Sequence, residues 1–278
     1  MTDSPPSPPA LPSTESLQLR READLLWVTL DEPEKANAFG PRMIRELTEV
    51  YSRPWLDEGV RAILLNANGR HFCAGADLAH LESLQRATLK DNREDSRGLR
   101  TLFESVLRQQ TLTLALVHGA CVAGGCGLAT ACDFVFAAED ARFMYSEARI
   151  GFVAALVATY LPLRLRGADL RELLLAPDFV SAQRALTIGL VNRVAPRAEL
   201  ASQGEEFAAK TLRHASPASI AQTKELLLEL IGRSLDSALE HAVELNAQSR
   251  STADCRRGIR HFLEHRRPPQ WRQDPDSI

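Results

Sequence analysis

The stretch that decides the fold runs from Thr113 to Glu139: TLALVHG (113–119), ACVAGGCG (120–127), LATACD (128–133) and FVFAAE (134–139). An apolar run of strand length enters a string of small residues. A short helical segment follows, and a second apolar run comes directly after it. Short apolar runs bounded by glycine read as buried strands. Strands that alternate with helical segments point to a largely parallel α/β architecture, because a parallel strand needs a crossover to return. VRAILLNA (60–67), ended by Asn68-Gly69, repeats the pattern, and HFCAGADLAHL (71–81) is a tight turn entering a helix.

Working outward, Leu17 and Leu19, then Leu26, Val28 and Leu30, fall at period two and predict a pair of strands. DEPEKANAFG (31–40) is a polar turn, and after Pro41 a helix carries Met43, Ile44, Leu47, Val50 and Tyr51 on one face. Residues 82–110 are charged and weakly patterned, and read as a mobile helix and loop. From Arg164 onward the chain reads as helices, with one short apolar segment at Gly189-Leu190-Val191. Ser216-Pro217 opens a helix expected to turn Ile220, Thr223, Leu227 and Ile231 inward, and the next holds Leu235, Ala238, Leu239, Ala242 and Leu245. The expected division is a proline-rich disordered tail (1–15), an α/β core (16–195), a helical region for assembly or lid formation (196–270) and a short tail (271–278). No internal repeat is visible.

Composition excludes several classes. With 278 residues, 45% hydrophobic and 25% charged, the chain is ordinary globular material rather than disordered or collagenous. Its net charge of −3 supplies no field that would recruit nucleic acid or anionic lipid, and only four of the 33 basic residues are Lys. The five cysteines form no C-x-x-C, so neither a disulfide framework nor a zinc knuckle is suggested, and a reducing cytoplasm is the expected setting. The opening MTDSPPSPPALPST lacks the pattern of a signal peptide. No apolar run approaches a bilayer span.

Two stretches carry chemistry: Cys73-Ala74-Gly75-Ala76-Asp77 and Ala123-Gly124-Gly125-Cys126-Gly127. In each, a strand runs through small residues into a helix whose first N–H groups have no internal acceptor and suit an anion. Two such termini facing one another could hold one oxygen between two amides. That is an oxyanion hole, in which each donor is worth roughly 2.7–4 kcal/mol of barrier. The plainer reading is that these glycines only permit tight turns and close helix–sheet contact. A dinucleotide site fits poorly, since Gly125-Cys126-Gly127-Leu128-Ala129-Thr130 lacks the third glycine of G-x-G-x-x-G. There is no G-x-S-x-G nucleophile elbow either.

HFCAGADL, GACVAGGCGLATACD and FMYSEARIGF, in this order, resemble the enoyl-CoA hydratase/isomerase (crotonase) superfamily. EKANAF (34–39) and SAQRALTIGLVNRV (181–194) add to the likeness, which spans roughly 17–270. The resemblance implies a crotonase (ClpP-like) α/β fold, a spiral of ββα turns followed by helices that mediate assembly. It implies a homo-oligomer, trimer or hexamer, and an acyl-CoA thioester substrate, with coenzyme A entering as part of that substrate and no metal or redox cofactor. Ala76 and Gly124 match the two oxyanion-hole amides, which would stabilise a thioester enolate. Lys35, Ala36, Ala74, Asp77 and Leu78 fall at CoA-binding positions, and Phe262 where an aromatic residue covers the nucleotide.

Two-acid hydratases of this family carry one glutamate within the second glycine turn and another further along. Here the first position is Gly127, so Glu147 stands alone as acid/base. Apolar neighbours in sequence (Phe143, Ile150, Phe152) would raise its pKa. The resemblance favours hydration of a 2-enoyl-CoA. The stretch SEARIGFVAALVATYLPLRLRG (146–167) is similar to a branch that handles 3-methylglutaconyl-type thioesters, although that branch usually has prolines where Ala154 and Thr159 stand. The alternatives are a Δ3,Δ2-enoyl-CoA isomerase with Glu147 as sole proton shuttle, a CoA-thioester hydrolase, and a non-catalytic acyl-CoA- or RNA-binding homologue; the negative net charge argues against RNA. His71 and His118 read as packed or solvent-facing residues rather than catalysts, and Cys126 as a small apolar filler. The five Arg and single Glu of 256–267 make that segment cationic, suited to a solvated face or to the phosphates of CoA.

Overall fold

The computed structural model describes residues 10–272. In chain order it holds β1 (Leu17–Glu22), β2 (Leu25–Leu30), α1 (Pro41–Ser52), β3 (Ala62–Ala67), α2 (Leu78–Gln85), α3 (Leu89–Leu107) and β4 (Leu112–Val117). Next come β5 (Ala120–Val122), α4 (Gly124–Ala131), β6 (Phe134–Ala138), β7 (Arg142–Met144), α5 (Gly167–Leu175), β8 (Val180–Ser181), α6 (Ala182–Ile188) and β9 (Arg193–Ala195). Four helices close the chain: α7 (Leu200–His214), α8 (Pro217–Glu229), α9 (Leu235–Ser249) and α10 (Ala253–His265).

The larger sheet runs β1-β2-β3-β4-β6-β9, and the smaller β5-β7-β8. β1 pairs antiparallel with β2, and every other pair in the larger sheet is parallel. Each turn of the chain gives one strand to each sheet: β4 then β5, β6 then β7. The turn after β3 follows the same path, reaching the smaller sheet through a single bridge from Cys73 to Cys121. This is the spiral of ββα turns implied by the resemblance.

Strand composition follows from burial on both faces. In β2, Leu26, Val28 and Leu30 enter the main core with α1, α3 and α4, while Leu25 and Trp27 face the layer under α7. That helix lies beyond the division expected at 195, yet it covers the sheet with Ala208 and Leu212.

Several expectations are corrected. Residues 82–110 hold more helix than expected: α3 is a continuous helix of 19 residues, begun by a capping box between Thr88 and Asp91. Only Leu102, Phe103 and Val106 of it are buried, so its exposed first half dilutes the apolar pattern. The helix opens inside the small-residue run at Gly124 rather than at Leu128, and β8 and β9, two and three residues long, lie in the stretch read as helices. Ser216 does cap α8, but Leu227 and Ile231 point outward, as do Leu235 and Leu239 of α9. Periodicity identifies a helix's apolar face; it says nothing of what covers that face.

The assigned tails also begin too close to the core. Arg53 donates to the Ala10 carbonyl and Glu46 accepts from the Glu15 amide. At the other end, Trp271 is held between Arg213 and Arg61, and Arg272 pairs with Asp24. The remainder of both tails lies outside the described residues. Among the described residues, no helix is long and apolar enough to cross a membrane.

Candidate active site

The two glycine turns lie against each other. Val122 N–H donates to the Cys73 carbonyl (2.9 Å) and Cys73 N–H to the Ala120 carbonyl (3.2 Å). Gly75 has φ +91°, and a Cβ there would meet the Ala123 Cβ and the Val122 carbonyl oxygen at 3.0 Å. A Cβ on Gly125 would come within 2.7 Å of the Cys73 Cβ. Small residues are thus required because two backbones touch, which is a sharper reason than the freedom of a turn.

Ala123 carries φ 48° and ψ −120°, a conformation a residue with a Cβ rarely adopts. Such strain costs of order 1–3 kcal/mol and persists where its surroundings over-determine it. Here the Ala123 amide is fixed to the Met144 carbonyl (2.8 Å), which turns the Gly124 amide out at the start of α4. Asn37, buried, ties the 31–40 turn down by donating to the Asn68 and His71 carbonyls, and so sets Phe39 beside Gly124. Phe39 N–H then donates to the Gly75 carbonyl and Asp77 N–H to the Phe39 carbonyl, leaving Ala76 between them. Among the described residues, neither the Ala76 nor the Gly124 amide has an acceptor.

Both residues border a cavity of about 270 Å³, together with Ala74, Leu78 and Glu147. Glu147 opens a short 3-10 turn just after β7. Its Oε2 is buried and has no hydrogen-bond partner among the described residues. Burial raises its pKa, outweighing a backbone hydrogen bond that lowers it. Ile150 and Phe152 share the cavity with Glu147 as the sequence suggested, whereas Phe143 is packed in the core.

The space around Gly127 is filled. A Cβ on Gly127 would stand 2.7 Å from Val157 Cγ1 and 2.8 Å from Phe103 Cζ, and Tyr160 donates to the Gly127 carbonyl. A larger side chain at Gly127 would thus collide with Val157, Phe103 and the Tyr160 hydroxyl.

The remaining predicted residues lie off the cavity wall. Asp77 caps α2, accepting from the Ala79 and His80 amides. Ala36 accepts from Ala74 N–H, Lys35 is exposed, and Phe262 is half-exposed on α10. His71 Nδ1 accepts from the Ala120 amide, and His118 Nε2 meets the Gly69 carbonyl; burial lowers both pKa values. Cys126 is buried and donates to the Cys121 carbonyl, and all five cysteines are free. No group of three His, Cys, Asp or Glu able to hold a metal is found among the described residues. Sequence reasoning missed Phe39, Phe103, Val157 and a His80–Asp95 pair, all of which border the cavity. The one signal in the sequence is His80 itself, two residues past Leu78 at the end of the first glycine-turn motif.

The family profile described as Enoyl-CoA hydratase/isomerase matches residues 20–274. The chain belongs to the enoyl-CoA hydratase/isomerase family. A Thermus thermophilus protein that carries an enoyl-CoA hydratase name is 41% identical over 244 residues, covering 88% of this chain and 96% of that one. The 2,3-dehydroadipyl-CoA hydratase of Escherichia coli is 30% identical, covering 91% and 97%. The mitochondrial Delta(3,5)-Delta(2,4)-dienoyl-CoA isomerase of Homo sapiens is also 30% identical, covering 91% and 81%. Among solved structures, Pseudomonas aeruginosa AtuE superposes with TM-score 0.86 at 32% identity, covering 93% of this chain and all of that one. An enoyl-CoA hydratase from Shewanella pealeana gives 0.85 at 29%, covering 92% and 96%. The fold is that of the crotonases, and the chain is an enzyme of the hydratase/isomerase family.

Proposed function

We propose that this enzyme hydrates 2-enoyl-CoA thioesters. The observation that carries the reading is the unpartnered, buried Glu147 oxygen facing a cavity that also holds two amides without acceptors. The thioester carbonyl oxygen accepts from the Ala76 and Gly124 amides. The Glu147 carboxylate takes a proton from water as the water oxygen bonds to C3. The electron pair of the C2–C3 double bond moves to the thioester, and the enolate oxygen is held by the two amides. Collapse of the enolate returns that proton from Glu147 to C2. Preorganised amides suit this charge because they need no reorientation as it develops.

Self-association as a trimer or hexamer belongs to the same reading, supported by exposed Leu227, Leu239 and Val243 on α8 and α9. Lys35, Ala36, Asp77 and Phe262 are kept as its CoA-binding positions, and a cytoplasmic setting without a metal or redox cofactor goes with it.

A second reading has one observation in its favour: the space beside Gly127 is filled by Val157 and Phe103, so Glu147 has no second acid at that position, and one carboxylate suffices to move a proton between C2 and C4 of a 3-enoyl-CoA. Product mass together with chromatographic resolution of the 2- and 3-hexenoyl-CoA isomers, starting from each, separates the two. Gain of one water from the 2-enoyl substrate is expected. Double-bond movement in the 3-enoyl substrate, with no hydration of the other, would reverse the assignment.

The raised pKa of Glu147 also predicts a pH profile. The carboxylate form accepts the proton of water, so kcat/KM for hydration should fall as pH drops through a value above the ordinary glutamate range. An acidic limb at the usual glutamate position would contradict burial as the controlling influence.

A further inference from the structure

One polar feature of the cavity plays no part in the mechanism. His80, on α2, and Asp95, on α3, both border it, and His80 Nε2 lies 2.6 Å from Asp95 Oδ1. The contact engages one imidazole nitrogen and one oxygen of the Asp95 carboxylate. Asp95 Oδ2 and His80 Nδ1 have no other hydrogen bond among the described residues. The pair therefore brings an unengaged acceptor, the second Asp95 oxygen, to the cavity lining.

Its surroundings are otherwise apolar: Leu99 and Phe103 continue along α3, and Phe152, Val153 and Leu156 stand among the other lining residues. No Lys or Arg borders the cavity among the described residues. Arg93, Arg97 and Arg100 line a neighbouring surface groove that shares only Ser96 and Leu156 with it, and Arg97 and Arg100 are paired with Glu94 and Glu104. A carboxylate on the acyl chain would thus meet Asp95 and Glu147 with no lysine or arginine to offset them, and with His80 already engaged by Asp95. Recognition of a carboxylate ordinarily uses arginine or lysine, and like charges brought together in a partly desolvated site oppose binding. A hydroxyl would instead find an acceptor in place.

We propose that the His80–Asp95 pair is the specificity-determining element of the acyl cavity, admitting uncharged chains, including those with a hydrogen-bond donor, and turning away chains that end in a carboxylate. The inference rests on the reading that this cavity receives the acyl part of a CoA thioester, but it does not depend on hydration. It also argues against the 3-methylglutaconyl-type substrates suggested by residues 146–167, which carry a carboxylate.

Calorimetric titration of the full chain with hexanoyl-CoA, 6-hydroxyhexanoyl-CoA and adipyl-CoA tests this without requiring turnover. These share a six-carbon acyl chain and differ in its far end. Adipyl-CoA should bind ~10-fold or more weakly than hexanoyl-CoA, and 6-hydroxyhexanoyl-CoA at least as tightly as hexanoyl-CoA. Asp95→Asn, which keeps a hydrogen-bonding partner for His80 but removes the charge, should narrow the adipyl gap severalfold; Asp95→Ser serves as a second variant. Equal affinity for adipyl- and hexanoyl-CoA in the wild type, or a ratio unchanged in both variants, overturns the proposal. Failure of hydration with this binding order intact would count against the assigned reaction alone.

Discussion

Glu147→Gln is expected to lower kcat for hydration by ~10²–10⁴-fold while KM changes little. Glutamine keeps the size and the hydrogen-bonding oxygen of the side chain but cannot take a proton from water. The cavity and the two amides are untouched, so binding of the thioester should survive. The same substitution should raise stability. The pKa of Glu147 is higher in the folded protein because its carboxylate is poorly solvated there. The folded state consequently binds the proton more tightly than the unfolded chain. Stability associated with this group is fully present below the unfolded pKa and is lost as pH rises through the folded one. The variant's advantage in midpoint temperature should thus be small in acid, grow across that window and level off above it. Steady-state kinetics with thermal melts at several pH values measure both effects. Activity within tenfold of wild type removes Glu147 from the reaction, and a stability difference independent of pH removes burial as the cause of its shifted titration.

Opposed effects on rate and stability are expected of a site built around an uncompensated charge. Ala123 contributes to the same pattern through its backbone. Its φ is strained, its own amide is held by the Met144 carbonyl, and the amide of the next residue, Gly124, has no acceptor among the described residues. Polar groups without partners, a residue in a disfavoured conformation and two backbones in contact are all concentrated within a few residues of Ala76 and Gly124. In physical terms this concentration is the case for a preorganised site.

Legibility in the sequence followed the range of the interactions. The glycine turns and the strands around them could be read because each is set by neighbours in the chain, whereas Glu147 stands out only through the resemblance of its motif. The weak pattern of α3 arises because its burial is confined to the last two turns, a consequence of how it crosses α1 and α4. β9 is three residues long, and only its pairing with β6 makes it a strand. His80 and Asp95 are 15 residues apart on different helices, so their pairing depends on the angle at which those helices meet. Gly127 is the clearest instance. The resemblance implies an acid missing there, while the occupation of that space by Phe103 and Val157 depends on segments from both sides of it in the chain.

Gly125→Ala should damage the site most without changing any group that reacts. Its Cβ would lie 2.7 Å from the Cys73 Cβ and 2.8 Å from the Cys73 carbonyl oxygen. Cys73 is fully buried and fixed by hydrogen bonds to Ala120 and Val122, so neither contact can be relieved by moving the end of a flexible side chain. The two turns must separate instead. Overpacking of this kind costs ~1–3 kcal/mol, and displacing one oxyanion donor costs ~10²–10³ in kcat. Gly98→Ala provides the control, since a Cβ there meets nothing within 4 Å and should gain ~0.5–1 kcal/mol of helix stability at unchanged rate. Denaturant melts and kinetics on the pair distinguish a general loss of packing from a loss of alignment. If Gly125→Ala is destabilised yet turns over substrate at the wild-type rate, the closeness of the turns serves packing alone. A fall in kcat much steeper than the remaining folded fraction explains would place catalysis in the spacing between Ala76 and Gly124.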